Sequence, residues 1–137
     1  MKIKNQRLAV KRASAGLGLF ALKRIPADRR IVEYTGKIIN NEERKKSRSR
    51  YLFEIDEDSY VDGSTRSNLA RYINHSCEPN SQGFTSRNKR IWIWSLRAIE
   101  AGEEITIDYC QEYFDEFIKA GNCKCKKCAP QPKPKKQ

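Results

Sequence analysis

Arg71-Tyr72-Ile73-Asn74-His75-Ser76-Cys77-Glu78-Pro79-Asn80 is the stretch on which the reading of this chain turns. It holds the only histidine of the sequence, with a cysteine, two asparagines and a proline. Polar groups that dense are poor material for a core strand. Asn, Ser and Pro favour turns and side-chain-to-backbone hydrogen bonds. The stretch is therefore either an elaborate loop or a site, and the flanking sequence has to decide.

On the N-terminal side, residues 6–12 read as a short strand. Ser14-Ala15-Gly16-Leu17-Gly18-Leu19-Phe20 then reads as a turn running into a strand. The two glycines permit a hairpin turn or a close approach of backbone to a ligand. No third glycine and no helix pattern follow, so this is not a dinucleotide fingerprint. Ile25-Pro26-Ala27-Asp28 is a turn signal, and the β-branched and aromatic run Arg30–Thr35 is a strand continued after Gly36 by Lys37-Ile38-Ile39. Asn40 is a cap for a short, exposed, all-polar helix through Lys46. Tyr51–Ile55 is a strand, Tyr60–Gly63 closes into a turn, and Ser67–Tyr72 is one helical turn leading into the opening stretch.

On the C-terminal side, Arg90–Arg97 has the clearest strand pattern. Ile91, Ile93 and Ser95 fall on one face and Trp92, Trp94 and Leu96 on the other. Both faces carry apolar residues, so the two tryptophans are expected in the core rather than on a ligand platform. Ala101–Glu104 is a turn, Ile105–Tyr109 a last strand, and Glu112–Ile118 has aromatics at helical spacing. Pro130–Gln137 is Pro/Lys-rich and reads as a disordered basic tail. Many short strands and little helix predict a mostly β fold.

The 137 residues suit one domain with a modest core. Lys and Arg number 28 against 17 Asp and Glu, a formal charge of +11. That excess serves either solubility or attraction to a polyanion such as nucleic acid or nucleoprotein. No window approaches the ~18 apolar residues of a membrane span, and residues 1–5 lack the apolar stretch of a signal peptide. An intracellular, reducing setting is the expectation. There the five cysteines are metal ligands or simply buried rather than disulfides. Cys123, Cys125 and Cys128 crowd into six residues among lysines. Three thiolates leave a tetrahedral Zn²⁺ one ligand short, and either Cys77 or Cys110 is available to complete it, with His75 as an alternative ligand that lies inside a motif with another use for it.

Taken in order, these pieces resemble the SET-domain protein-lysine methyltransferases, in a compact form with a post-SET zinc motif. Gly16-Leu17-Gly18 resembles the family's first cofactor loop, Tyr34-Thr35-Gly36 its Tyr-x-Gly strand end, and Tyr51-Leu52-Phe53 a strand whose Tyr lies by the cofactor. Residues 71–80 resemble the most specific signature of the family, with Tyr72 where Phe is usual. Gly102–Tyr109 resembles its Gly-Glu-Glu-Leu-Thr-x-Asp-Tyr ending, and Cys123, Cys125 and Cys128 its post-SET motif in a tighter spacing than the common one. The cysteine-rich region that often precedes the domain is not seen, so the fold is expected to stand without it.

The resemblance implies a β-clip fold of small curled sheets and short helices, with 71–80 threaded beside 104–109 as a C-terminal pseudoknot. It implies a SET domain over residues 1–110, a zinc-binding segment over 111–129 and the basic tail over 130–137. S-adenosylmethionine is the implied cofactor, held by Gly16, Leu17, Gly18, Tyr51, Arg71, Asn74 and His75. One structural Zn²⁺ is implied on Cys77, Cys123, Cys125 and Cys128. Tyr109 is the implied main catalytic residue, with Tyr34 as its partner on the channel wall, and no dedicated general base. Tyr72 and Phe114 are assigned to the substrate channel, and Ile107 to product specificity. Ile in place of a Tyr at that position leaves apolar space and favours di- or trimethylation.

The implied substrate is a lysine-containing protein, most simply a histone or histone-like tail. Glu54, Asp56, Glu57 and Asp58, with Glu112, Asp115 and Glu116, are candidates to line a groove for it, and the basic surface at 44–50 and in the tail to contact DNA or nucleoprotein. A histone substrate implies the nucleus or chromatin, and a bacterial one the cytoplasm. Two alternatives stand beside this: a non-histone target such as a ribosomal protein, and a catalytically silent module that binds peptide or DNA.

Overall fold

The computed structural model describes residues 7–14 and 16–108. In chain order the strands are β1 (Leu8–Ala13), β2 (Gly16–Ala21), β3 (Arg30–Tyr34), β4 (Lys37–Asn40), β5 (Leu52–Asp56) and β6 (Ser59–Asp62). They continue with β7 (Asn74–His75), β8 (Ser81–Thr85), β9 (Ile91–Ser95) and β10 (Glu104–Ile107). Helix α1 (Asn41–Lys46) and a 3₁₀ turn, Leu69–Tyr72, complete the described elements. The fold is mostly β, as expected.

Three small sheets form, ordered β1-β2-β10-β7, β3-β9-β8 and β4-β6-β5. Alternation places one face of each against a shared aliphatic core. Leu19, Ile25, Ile91, Ile93, Ile99 and Ile105 are fully buried there. Ile25 and Ile99 exchange backbone hydrogen bonds of 2.8 Å in both directions and close the core at one edge.

Local signals account for the small elements. The Asn40 side chain accepts from Glu43 N at 2.9 Å, and the Glu43 carboxylate accepts from Asn40 N at 3.0 Å, a capping box that starts α1. No residue of α1 is buried, as its polar composition requires. The fully buried Asn68 accepts from Thr35 N and donates to Gly63 O, each at 3.0 Å, and so ties the 3₁₀ turn to β3 and to the end of β6.

Two expectations are corrected, and one strand is found that the sequence did not announce. Ser59–Asp62 is a strand, not the approach to a turn, because it pairs with β4 on one side and β5 on the other. Ser81–Thr85, which carries no alternating apolar signal, is drawn into a strand by pairing along β9. The tryptophans are not core residues. Ile91, Ile93 and Ser95 fill the inner face of β9, and Trp92 and Trp94 lie half-buried on the outer face.

Candidate functional site

The stretch 71–80 is locked against the end of the described chain. β7 runs parallel to β10, with Asn74 opposite Thr106 and His75 opposite Ile107. Ser76 N donates to Ile107 O at 2.9 Å. Pro79 has no N–H to continue the ladder, and Asn80 takes over with its side chain. Its Nδ2 donates to Glu104 O at 2.8 Å, and its Oδ1 accepts from Thr106 N at 3.0 Å. Asn80 is 3% exposed, so these bonds satisfy buried backbone groups that have no water to turn to. The density of polar residues that marked this stretch is thus explained by their partners.

The glycine loop meets the same junction. Gly16, which pairs with Ala13 across the β1–β2 hairpin, has φ of +111°, a conformation side-chain-bearing residues rarely adopt. A Cβ there would meet no heavy atom within 4 Å. At Gly18 the reason for glycine is close approach. A Cβ would lie 2.5 Å from Glu104 Oε2 and 3.1 Å from Asn74 Nδ2. Asn74 Nδ2 donates to Leu17 O at 2.9 Å and to Glu104 Oε2 at 2.8 Å. Both partners are pure acceptors, so the amide orientation is fixed and Oδ1 is left as the acceptor. Glu104 was not among the expected site residues. It is thirty positions from Asn74 in sequence, and nothing local separates it from the adjacent Glu103.

A cleft of about 440 Å³ opens from the other end of β10, with Tyr34, Tyr51, Phe53, Arg71, Ile107 and Asp108 in its wall. Tyr34 is 7% exposed, its ring lies 5.0 Å from that of Phe53, and its hydroxyl donates to Tyr51 O at 2.8 Å. Arg71 donates through Nη1 to Ser64 O at 2.7 Å and through Nη2 to the Tyr51 hydroxyl at 3.4 Å. Its guanidinium lies over the Tyr51 and Tyr72 rings, 4.6 and 5.3 Å from their centroids. The Tyr51 hydroxyl holds the Arg71 pKa above its ordinary value, so Arg71 is a permanent cation. Its Nε is buried with no hydrogen-bond partner among the described residues. Glu54 and Arg50 also reach the cleft, whereas Asp56 folds back onto Ser59 Oγ at 2.7 Å.

The remaining expected residues are divided. Tyr72 is half-buried against the core and does not line the cleft. His75 is 8% exposed and faces a third environment, with Nδ1 3.5 Å from Asp108 Oδ1 and Nε2 3.5 Å from Cys77 Sγ. Burial pulls its pKa below the usual value, with Asp108 opposing, so His75 is neutral at neutral pH. Cys77 is exposed. Tyr109, Phe114, Cys123, Cys125 and Cys128 lie outside the described residues.

Comparison with known proteins decides what this arrangement belongs to. Residues 16–110 match the model of the SET domain, from the glycine loop to just past β10. The chain belongs to the SET-domain family. This SET domain is 42% identical over 122 residues to the histone-lysine N-methyltransferase set-2 of Caenorhabditis elegans, covering 80% of the chain and 8% of that relative. It is 41% identical over 123 residues to the histone-lysine N-methyltransferase set1 of Dictyostelium discoideum, covering 81% and 8%. It is 38% identical over 104 residues to an H3 lysine-4 specific histone-lysine N-methyltransferase of Mycosarcoma maydis, covering 67% and 7%. The chain therefore spans less than a tenth of the length of these relatives. Among the described residues, no helix is long and apolar enough to cross a membrane.

Proposed function

We propose that this SET domain is an S-adenosylmethionine-dependent protein-lysine N-methyltransferase acting on a histone or histone-like basic tail. The observation that carries this function is the convergence of two groups on the two ends of one four-residue strand. Glu104, with Asn74 and the Gly16–Gly18 loop, stands at the start of β10, and Ile107, with Tyr34, Tyr51 and Arg71, at its end. The names of the relatives support a histone as substrate, and with it a place on chromatin.

The residues present fit the cofactor. Space is open over Gly16, Asn74 keeps its Oδ1 as an acceptor, and Arg71 holds a buried donor in reserve. When bound, S-adenosylmethionine supplies an electrophilic methyl group. Backbone groups of 16–18, the Asn74 amide, Tyr51, Arg71 and His75 would hold it.

The attacking group must be a neutral amine. A free lysine titrates at about 10.4, so at pH 7 only about one in 2,500 is neutral, a handicap of about 4.6 kcal/mol. The apolar wall of Ile107 and Phe53 disfavours the ammonium form, and the proton leaves to water. The Tyr34 hydroxyl donates its hydrogen to Tyr51 O, so toward an amine it would act through its oxygen lone pairs. An amine N–H donated to them leaves the nitrogen lone pair for transfer, and Tyr109 is assigned to hold the second N–H. Cys77 is assigned to a structural Zn²⁺ with Cys123, Cys125 and Cys128.

The test is transfer of radiolabelled methyl groups by the full chain to core histones, an H3 tail peptide and a whole-cell lysate. Labelling of the histone tail, lost in Asn74→Ala, is expected. Labelling of ribosomal proteins alone would move the substrate. Cofactor binding without transfer to any lysate protein would make this a binding module. Mass spectrometry of the product should show di- and trimethyl-lysine, shifting to monomethyl-lysine in Ile107→Tyr.

A further inference from the structure

The sheet β3-β9-β8 has an outer face that the proposed chemistry does not use. Its register sets Trp92 between Phe84 and Glu33, and Trp94 between Gln82 and Arg30. Both tryptophans of the sequence therefore lie on one three-stranded surface. Phe84 beside them is 48% exposed. The Arg30 and Arg90 guanidinium groups lie 4.4 and 5.1 Å from the centroid of the Trp92 ring. Trp92, Trp94, Phe84 and Arg30 line a shallow groove of about 500 Å³. The acid at the middle of the face is neutralised, since Glu33 accepts from Arg90 Nε at 2.9 Å and from Nη2 at 2.7 Å. Arg29 and Arg87 are exposed around it, Lys89 is exposed and paired with Asp56 at 3.5 Å, and Asp28 is an opposing acid on the rim.

We propose that this face binds a single-stranded polynucleotide. Aromatic rings and guanidinium planes are the surfaces on which unpaired bases stack, and the surrounding cations meet the phosphates. A duplex hides its base faces and would use only the charge. An acidic peptide would likewise use the arginines and leave Phe84 and Trp94 idle. An apolar protein partner would have to displace the guanidinium groups from Trp92. The excess of +11 over the whole chain is of the sign such a ligand requires. None of Phe84, Trp92, Trp94, Arg30 and Arg90 lines the cleft, so this binding does not depend on methyl transfer.

Because both tryptophans sit here, intrinsic fluorescence reports the contact directly. The full chain is titrated with oligouridine and oligothymidine of about 12 nucleotides, within the span one such surface covers, with a duplex of equal length, and with a polyglutamate peptide. Quenching by the single strands, at lower concentration than by the duplex, is expected, and the tighter of the two identifies RNA or DNA as the source. Phe84→Ala and Trp94→Ala should each weaken single-strand binding about tenfold, the loss of roughly one stacked base. Arg30→Ser, exposed and outside the core, should do so as well while leaving the melting temperature unchanged. Equal affinity for duplex and single strand would overturn the proposal, as would affinity unmoved by these variants. Matching quenching by polyglutamate would assign the face to an acidic protein instead.

Discussion

β9 and β10 carry the same pattern and meet different fates. Each buries alternate isoleucines, Ile91 and Ile93 in one and Ile105 and Ile107 in the other. In β9 the other face remains a surface, with half-buried tryptophans under arginines. In β10 the alternate positions, Glu104 and Thr106, are engaged by Asn74 and Asn80 from the stretch 71–80. Periodicity determines which face of a strand turns inward. Topology determines whether the other becomes surface or site.

If the inner faces are equivalent, Ile93→Ala and Ile105→Ala should each cost about 3 kcal/mol in chemical denaturation, the usual cost of emptying a buried aliphatic site. The outer faces should then part company. Asn80→Ala leaves Thr106 N–H and Glu104 C=O buried and unpaired and should cost about 2 kcal/mol. Phe84→Ala should cost less than about 1 kcal/mol, the range of a cross-strand pair. Equal losses at Asn80 and Phe84 would erase the distinction between the strands.

Glu104 tests whether the outer face of β10 serves function more than stability. It touches the site through Asn74 and is a positioning residue. Glu104→Ala should weaken cofactor binding about tenfold, the loss of one hydrogen bond to a charged group. Cofactor KM should rise with kcat little changed at saturation, and Glu104→Gln should restore part of the affinity. A fall in kcat with KM unchanged would mean that Glu104 does not act through Asn74.

The smallest effect belongs to the turn joining the two strands. Arg97 and Glu103 form an ion pair there, and Glu103 also accepts from Glu100 N at 2.9 Å. The Arg97 guanidinium, bonded to the carboxylate, holds the Glu103 pKa below its usual 4.5. As pH falls, the unfolded chain takes up this proton before the folded one. The stabilisation is therefore present above about pH 4.5 and lost as pH drops through the folded value. With the Arg97 side chain 54% exposed and that of Glu103 29%, Glu103→Gln should cost at most about 1 kcal/mol at pH 7. The two proteins should converge in denaturation curves as pH falls below the folded value.

How much was legible follows from the same contrast. The strands with alternating isoleucines, the Asn40 cap and the polar density of 71–80 could all be read locally. β7 is two residues long and β8 lacks alternation, so no period marks them, and both exist because a neighbour offers a free edge. Glu104 meets Asn74, and Asn68 meets Thr35, across thirty or more residues of sequence. The tryptophans were misread because apolar area on both faces of a strand means burial only if a second layer covers it, and here long arginine side chains lie across one ring. The grouping of Asn74 with Gly18, and of Tyr34 with Tyr51 and Arg71, follows the order of the signature residues, whereas the turning of His75 toward Cys77 and Asp108 is a matter of packing.

The pairing of β10 with both β2 and β7 also sets an order of events. Phe20 faces Glu104, and Asn74 faces Thr106, across long loops that must close before either contact forms. Topologies of this kind fold slowly. A nascent chain that has emerged as far as His75 carries the glycine loop and most of the signature, yet lacks β10, the strand that lies between them. The proposed site is complete only with the last described strand. A ligand that binds there then favours the completed fold over every partly assembled one, so the site acts as the latch of the domain as well as its working part.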